Sequence, residues 1–244
     1  MEHIPVLHIA ISLARSLNLE QAAVLIVLFH ILGYTLYILR SLLREIEPNP
    51  ITWLMFTYST LITLYLEYAL GASGYLLYLP AVCAAGSVVV AIICYFRGQI
   101  RIPNPGHERT AFRNDLILMA CALAAFALHK FGAITDFQKY VALAAFLVFS
   151  NWSTFYAFAP IIQDAKENPG REHSHAWVVW TIAYAGLGGL TVAGWIQEGA
   201  LDRVMLALLL LYPLSCTYLH AKVAWYARST RHGGKRVSMP IPAE

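Results

Sequence analysis

The chain has 244 residues, of which 59% are hydrophobic and only 13% charged, and its formal net charge is +3. Soluble domains carry about 25% charged residues, so this composition marks an integral membrane protein, with room for about seven spans of roughly 20 residues and none for a separate soluble domain. The small basic excess sits at the ends of apolar stretches, which argues against a nucleic-acid partner; the lipid bilayer is the partner that the composition demands.

In chain order, residues 1–18 place Ile4, Leu7, Ile11, Ala14 and Asn18 on one helical face. They lack the basic start and small-residue cleavage site of a signal peptide, and read as a retained interfacial segment or a helix extension. Seven apolar stretches follow: Leu19 to Leu39, Ile51 to Leu70, Tyr75 to Phe96, Asn114 to Phe131, Lys139 to Ile162, Ala176 to Ile196 and Val204 to Tyr226. Each is long enough for the hydrocarbon core, so the expected fold is an all-α membrane protein of seven transmembrane helices. Cys83, Cys94, Cys121 and Cys216 all fall in these stretches without metal spacing and read as small packing residues.

With seven spans, one side of the membrane receives Arg15, Lys130, Lys139 and Arg203, and the other receives the remaining thirteen basic residues. The positive-inside rule then puts the N-terminus outside and the C-terminal tail, residues 229–244, in the cytoplasm. The expected location is a prokaryotic inner membrane, because no long tail, targeting segment or usable glycosylation site is evident.

Two echoes suggest internal duplication. Trp53 to Thr57 (WLMFT) returns 124 residues later as Trp177 to Thr181 (WVVWT), each following a polar loop that contains proline. Pro80-x-x-Cys83 in the third stretch is likewise answered by Pro213-x-x-Cys216 in the seventh. The chain thus divides into a three-helix repeat over 19–97, a loop and linker helix over 98–135, and a second repeat over 136–228. Both repeats start outside and end inside, so they are parallel, and a pathway falls naturally between them.

This three-plus-one-plus-three plan resembles the PQ-loop superfamily, which includes the SWEET and SemiSWEET sugar carriers. Trp177-x-x-Trp180 also resembles the Trp-x-x-Trp signature of PnuC-type vitamin-precursor transporters. The chain departs from the first group in having no Pro-Gln dipeptide: Leu36-Tyr37 stands at the matching place in the first stretch, and Pro160 with Gln163 lies near it in the fifth. The resemblance implies facilitated or exchange transport of a small polar solute, such as a sugar, nucleoside or vitamin precursor, without a cofactor.

Such a site needs hydrogen-bonding groups shielded from lipid and aromatic faces for stacking. Asn151, with Thr154 beside it, is the first candidate, and helix-to-helix bonding is its alternative. His30 corresponds to Thr154 at the 124-residue offset and could serve solute, proton or packing. Trp180 and Tyr184 are spaced to share a face, whereas Trp177 reads first as an interfacial anchor. Tyr58 and Ser87 add polar groups from the second and third stretches. Pro80, Pro160 and Pro213 are hinge candidates or static kinks. Glu67 reads as the one carboxylate well inside an apolar stretch, with snorkelling to water its ordinary role.

Other classes fit less well. A retinal-type receptor would want a deep lysine in the last span, and Lys222 lies near its inner end. An enzyme would want a ligand or nucleophile cluster, and Glu172-His173-Ser174-His175 reads instead as a solvated loop. A non-transporting scaffold or sensor on the same fold is the alternative, and self-association stays open.

Overall fold

The structure is a computed structural model and describes residues 16–69, 74–132, 135–198 and 203–228. The interfacial segment expected over 1–18 and the tail over 229–244 lie almost wholly outside them. Seven α-helices account for nearly all of the described chain: α1 (Leu19–Leu42), α2 (Pro50–Ala69), α3 (Gly74–Phe96), α4 (His107–Ala127), α5 (Asp136–Glu167), α6 (Ser174–Glu198) and α7 (Arg203–Arg228). There is no strand among the described residues. A π-helical turn, Leu128–Gly132, prolongs α4, and a 3-10 turn, Pro169–Arg171, follows α5.

The helix ends follow local chemistry. Asn18 caps α1 by accepting from the Gln21 backbone at 3.0 Å. Asn49 does the same for α2, accepting from Ile51 at 3.1 Å and Thr52 at 3.0 Å, with Pro50 in the first helical position, where its missing N–H costs nothing. Thr135 and Gln138 form a reciprocal capping box at the start of α5. At the end of α3, Gly98 takes φ +65, and the Gln99 amide reaches back to the Cys94 carbonyl at 3.0 Å, which satisfies an otherwise orphaned acceptor.

Six of these helices contain stretches long and apolar enough to cross a membrane. The exception is α2, whose mean hydropathy is lowered by Thr52, Thr57, Tyr58, Ser59, Thr60 and Thr63. Three of its hydroxyls are satisfied within the helix: Thr57, Ser59 and Thr60 each donate to the carbonyl four residues earlier, at 2.8, 2.5 and 2.6 Å. Large apolar side chains such as Leu25, Leu28, Leu39, Ile117 and Trp225 cover the outside, as expected of a surface that meets lipid rather than water. This is the build of an all-α membrane protein.

Packing forms a closed circuit. Going round it, α1 touches α3, α3 touches α2, α2 touches α5, α5 touches α7, α7 touches α6, and α6 returns to α1. Helix α4 stands outside the circuit against α5 and α2. Small residues permit the tightest approaches: a Cβ at Gly33 of α1 would lie 2.4 Å from the Trp180 indole nitrogen of α6, and one at Gly86 of α3 would lie 2.4 Å from the Tyr34 ring.

One end of the bundle gathers the loops after α1, α3 and α5. Arg171 pairs with Glu47 at 3.0 Å, Arg101 with Glu108 at 2.6 Å, and Asn49 donates to Asp164 at 2.5 Å and Glu108 at 3.3 Å. Arg97 also donates to the Ser41 carbonyl. At the opposite end Gln197 of α6 donates to the Leu17 carbonyl at 2.8 Å.

Helix α4 begins seven residues before the apolar stretch drawn from Asn114. Its first two turns carry Glu108, Arg109 and Arg113, whose charge disguises them as loop. This earlier start sets Asp115 two turns inside the helix and wholly buried. Glu67 is therefore not the one carboxylate inside a span.

Candidate functional site

The middle of the circuit is filled with rings. Trp180 of α6 lies 4.9 Å from Tyr34 and 5.7 Å from Tyr37, both of α1, 6.2 Å from Trp53 of α2, 5.0 Å from Trp177, and 5.7 Å from His220 of α7, measured between ring centroids. Tyr184, one turn further along α6, sits 4.7 Å from His30 and 4.8 Å from His220. Five of the helices that form the circuit, α1, α2, α5, α6 and α7, contribute a ring to this seam, with Phe158 of α5 against His220 at 4.8 Å. Edge-to-face and tilted pairs of this kind combine apolar burial with the favourable meeting of one ring's edge and another's face, and every ring in the seam is buried or partly buried.

Polar atoms within the seam are few and specific. Tyr34 Oη lies 3.2 Å from Ser87 Oγ and donates to the Cys83 carbonyl at 3.2 Å. Tyr184 Oη lies 3.5 Å from Cys83 Sγ and 3.4 Å from Tyr212 Oη. Both histidines use one nitrogen on their own helix: His30 Nδ1 donates to the Ile26 carbonyl at 3.3 Å, and His220 Nδ1 to the Cys216 carbonyl at 2.7 Å. That bond fixes the tautomer of His30 and leaves Nε2 as a lone-pair acceptor, buried and without a partner. Trp180 Nε1 and Asn151 Oδ1 are buried and unpartnered as well. A buried polar atom without a hydrogen bond costs about 1–3 kcal/mol, and these three are half of the six such side-chain atoms among the described residues, the others being Ser41 Oγ, Thr52 Oγ1 and Gln99 Oε1.

At the loop-rich end the seam is closed by a carboxylate. Glu172 is 5% exposed, accepting from Tyr37 Oη at 2.8 Å on one oxygen and from Trp177 Nε1 at 2.9 Å on the other. Tyr37 Oη in turn accepts from Trp53 Nε1 at 3.1 Å. No ion pair reaches Glu172 among the described residues, and burial pushes its acid up to about 8, against the pull of the two donors. Glu172 is thus no part of a solvated loop, although the neighbouring His175 is exposed. Trp177 is not an interfacial anchor either: it is completely buried, and its indole N–H points inward.

The remaining sequence candidates are placed as follows. His30, Ser87, Trp180 and Tyr184 meet in the seam. Asn151 is buried on α5, two turns from Phe158 on the same face, while Thr154 bonds back to the Ser150 carbonyl at 3.1 Å. Tyr58 points elsewhere, donating to Asp115 of α4. Pro80, Pro160 and Pro213 all lie inside unbroken helices. Sequence reasoning gave no site role to Tyr37, Glu172 or His220. Usable signals were present, since Tyr37 stands at the family's motif place in the first stretch and His220 lies one turn after Cys216.

A cleft of about 280 Å³ opens at the loop-rich rim between Arg101, His107, Glu108, Asp164 and Arg171. Another, of about 410 Å³, faces outward between α2 and α3. Neither reaches the seam. No group of three or more histidine, cysteine, aspartate or glutamate side chains suited to a metal occurs among the described residues.

Fold and site together define an α-helical membrane protein with an aromatic and polar seam enclosed by six helices. No protein-family model, curated protein or solved structure matches the chain.

Proposed function

We propose that this chain is a transporter, a facilitator or exchanger that moves a small polar solute by alternating access between two parallel triple-helix units, α1 to α3 and α5 to α7, joined by α4. In this reading all seven helices span the membrane, with the N-terminus outside and the C-terminus in the cytoplasm of a prokaryotic cell. The loop-rich rim around Glu172 is then the inner gate.

The observation that carries the proposal is the trio of buried, unpartnered atoms, His30 Nε2, Trp180 Nε1 and Asn151 Oδ1, in a bundle lined with rings. Two acceptors and one donor suit a solute with hydroxyl, amide or ring-nitrogen groups. Matching geometry in the two units supports their equivalence. Tyr34 and Trp53 have ring centroids 6.2 Å apart at 62°, and their counterparts 124 residues on, Phe158 and Trp177, stand 6.2 Å apart at 66°. In each unit the third helix also packs between the first and second. These pairings favour the arrangement that the resemblance to PQ-loop and PnuC-type carriers implies.

The test is a thermal-shift screen of the purified protein against sugars, nucleosides, vitamin precursors and amino acids, followed by vesicle uptake of the hit. The hit should raise the melting temperature, and Asn151→Ala should abolish uptake while the protein stays folded. One observation favours a second reading, a non-transporting scaffold or sensor: the rings pack edge to face, and the Trp180 ring fills the space where Gly33 lacks a side chain. That protein would show no solute-dependent stabilisation.

A further inference from the structure

Away from the seam, α4 meets α2 and α5 around Asp115. This carboxylate is 0% exposed, and it lies two turns inside a helix long and apolar enough to span a membrane. One of its oxygens accepts from Tyr58 Oη of α2 and the other from Ser153 Oγ of α5. The neighbourhood is apolar: Tyr58, its α2 partner, packs against two buried clusters, one with Met119, Ala122 and Phe146 and the other with Ile51, Met55 and Ala157.

What the site lacks is positive charge. From α2 the one titratable group facing Asp115 is the Tyr58 phenol. From α5 the facing group is the Ser153 hydroxyl, with the partly buried Tyr156 one turn on. On its own helix Arg109 and Arg113 are exposed, Arg113 being two residues away and so on another face, and Glu108 is held by Arg101. No ion pair reaches Asp115 among the described residues. Two hydroxyl donors soften an ionised carboxylate but do not neutralise it, and an unpaired charge at that depth is among the costliest things a bundle can hold.

We propose that Asp115 is a proton-binding site within the membrane, and that its occupancy sets how firmly α4 holds α2 and α5. The carboxylate takes one proton from the aqueous phase to become a neutral carboxylic acid, and returns the same proton when the α4 contact loosens. A metal cation of similar charge would ask for more oxygen ligands than one carboxylate and two hydroxyls supply. The role of this proton as the coupling ion rests on the transporter reading; the binding of the proton does not. In that reading α4 ties the first unit, through α2, to the second, through α5, so proton binding acts where the two units must move apart.

The test is infrared difference spectroscopy of the full chain in detergent, stepped in pH. A carboxylic acid C=O band should fade as pH rises, be absent in Asp115→Asn and persist in Glu172→Gln. Tyr58→Phe, which keeps the ring but removes one donor to the charged form, should raise the midpoint of the Asp115 band by about one pH unit. It serves equally if Asp115→Asn fails to fold. The proposal is overturned if the band is unchanged in Asp115→Asn, if its midpoint is indifferent to Tyr58→Phe, or if exchanging potassium for sodium displaces it, which would make the site one for sodium. The readout needs no solute, so a failed transport assay leaves it standing.

Discussion

Tyr37 and Glu172 lie 135 residues apart in the chain, and the phenol of the first donates to the carboxylate of the second at 2.8 Å. Through Trp53 and Trp177, which converge on the same pair, this bond joins α1, α2 and α6 at the loop-rich end. A latch between the proposed units therefore hangs on one buried acid.

That acid makes stability depend on pH. Burial raises Glu172 from an ordinary value of 4.5 to about 8 in the folded chain, so the fold binds the proton more tightly than the unfolded chain does. The stabilisation is whole below about pH 4.5 and is lost as pH rises through about 8. Melting temperature in detergent should fall across that window, and Glu172→Gln should flatten the fall. A wild-type curve that rises there would contradict the burial argument.

Removing the phenol strands two groups at once. In Tyr37→Phe, a Glu172 oxygen and the Trp53 indole N–H lose their shared partner, which should cost about 2–3 kcal/mol in chemical unfolding. A double-mutant cycle with Glu172→Gln should show coupling of about 1 kcal/mol or more. Simple additivity would mean that the bond carries no stability.

Close packing at Gly33 sorts glycine substitutions by position. Gly33→Ala must displace the Trp180 indole and Gly86→Ala the Tyr34 ring, each costing about 1–3 kcal/mol. Gly189→Ala meets nothing within 4 Å and should be neutral or stabilising by about 1 kcal/mol, because alanine favours helix. Thermal denaturation of the three variants side by side gives the order.

The unpartnered amide separates function from stability. Asn151→Leu removes a buried oxygen that has no bond to lose, so its melting temperature should equal or exceed the wild type. Solute uptake should nevertheless disappear. Lower stability with retained uptake would show that Asn151 bonds another helix.

Helix positions were largely legible because an apolar run of about 20 residues, in so uncharged a chain, fits a bilayer span and little else. The losses came where charge and burial coincide. Glu108, Arg109 and Arg113 disguised the start of α4, so Asp115 passed for a residue at a span end. Glu172 sits among His173, Ser174 and His175, which look solvated, and only the fold reveals that Tyr37 and Trp177 reach it from two helices. Local pattern reports a residue's own helix, whereas these buried acids depend on partners from other helices, Tyr37 lying 135 positions from Glu172 and Tyr58 lying 57 from Asp115. Trp53 and Trp177 were legible as a pair through the 124-residue echo, but their convergence on the Tyr37–Glu172 pair was not.

Whether the seam ever opens to water is best measured at Cys83 and Cys216, two buried cysteines beside Tyr184. With Cys94 and Cys121 replaced by alanine, a membrane-impermeant maleimide is applied to each side of oriented vesicles. Alternating access predicts slow labelling that stops when Ile26→Cys and Gly186→Cys, whose side chains would meet across α1 and α6, are first joined by a reducible cross-link. Labelling should return on reduction. If Cys83 and Cys216 stay unreactive from both sides with the cross-link absent, the helices enclose a permanently dry core and the transporter proposal fails.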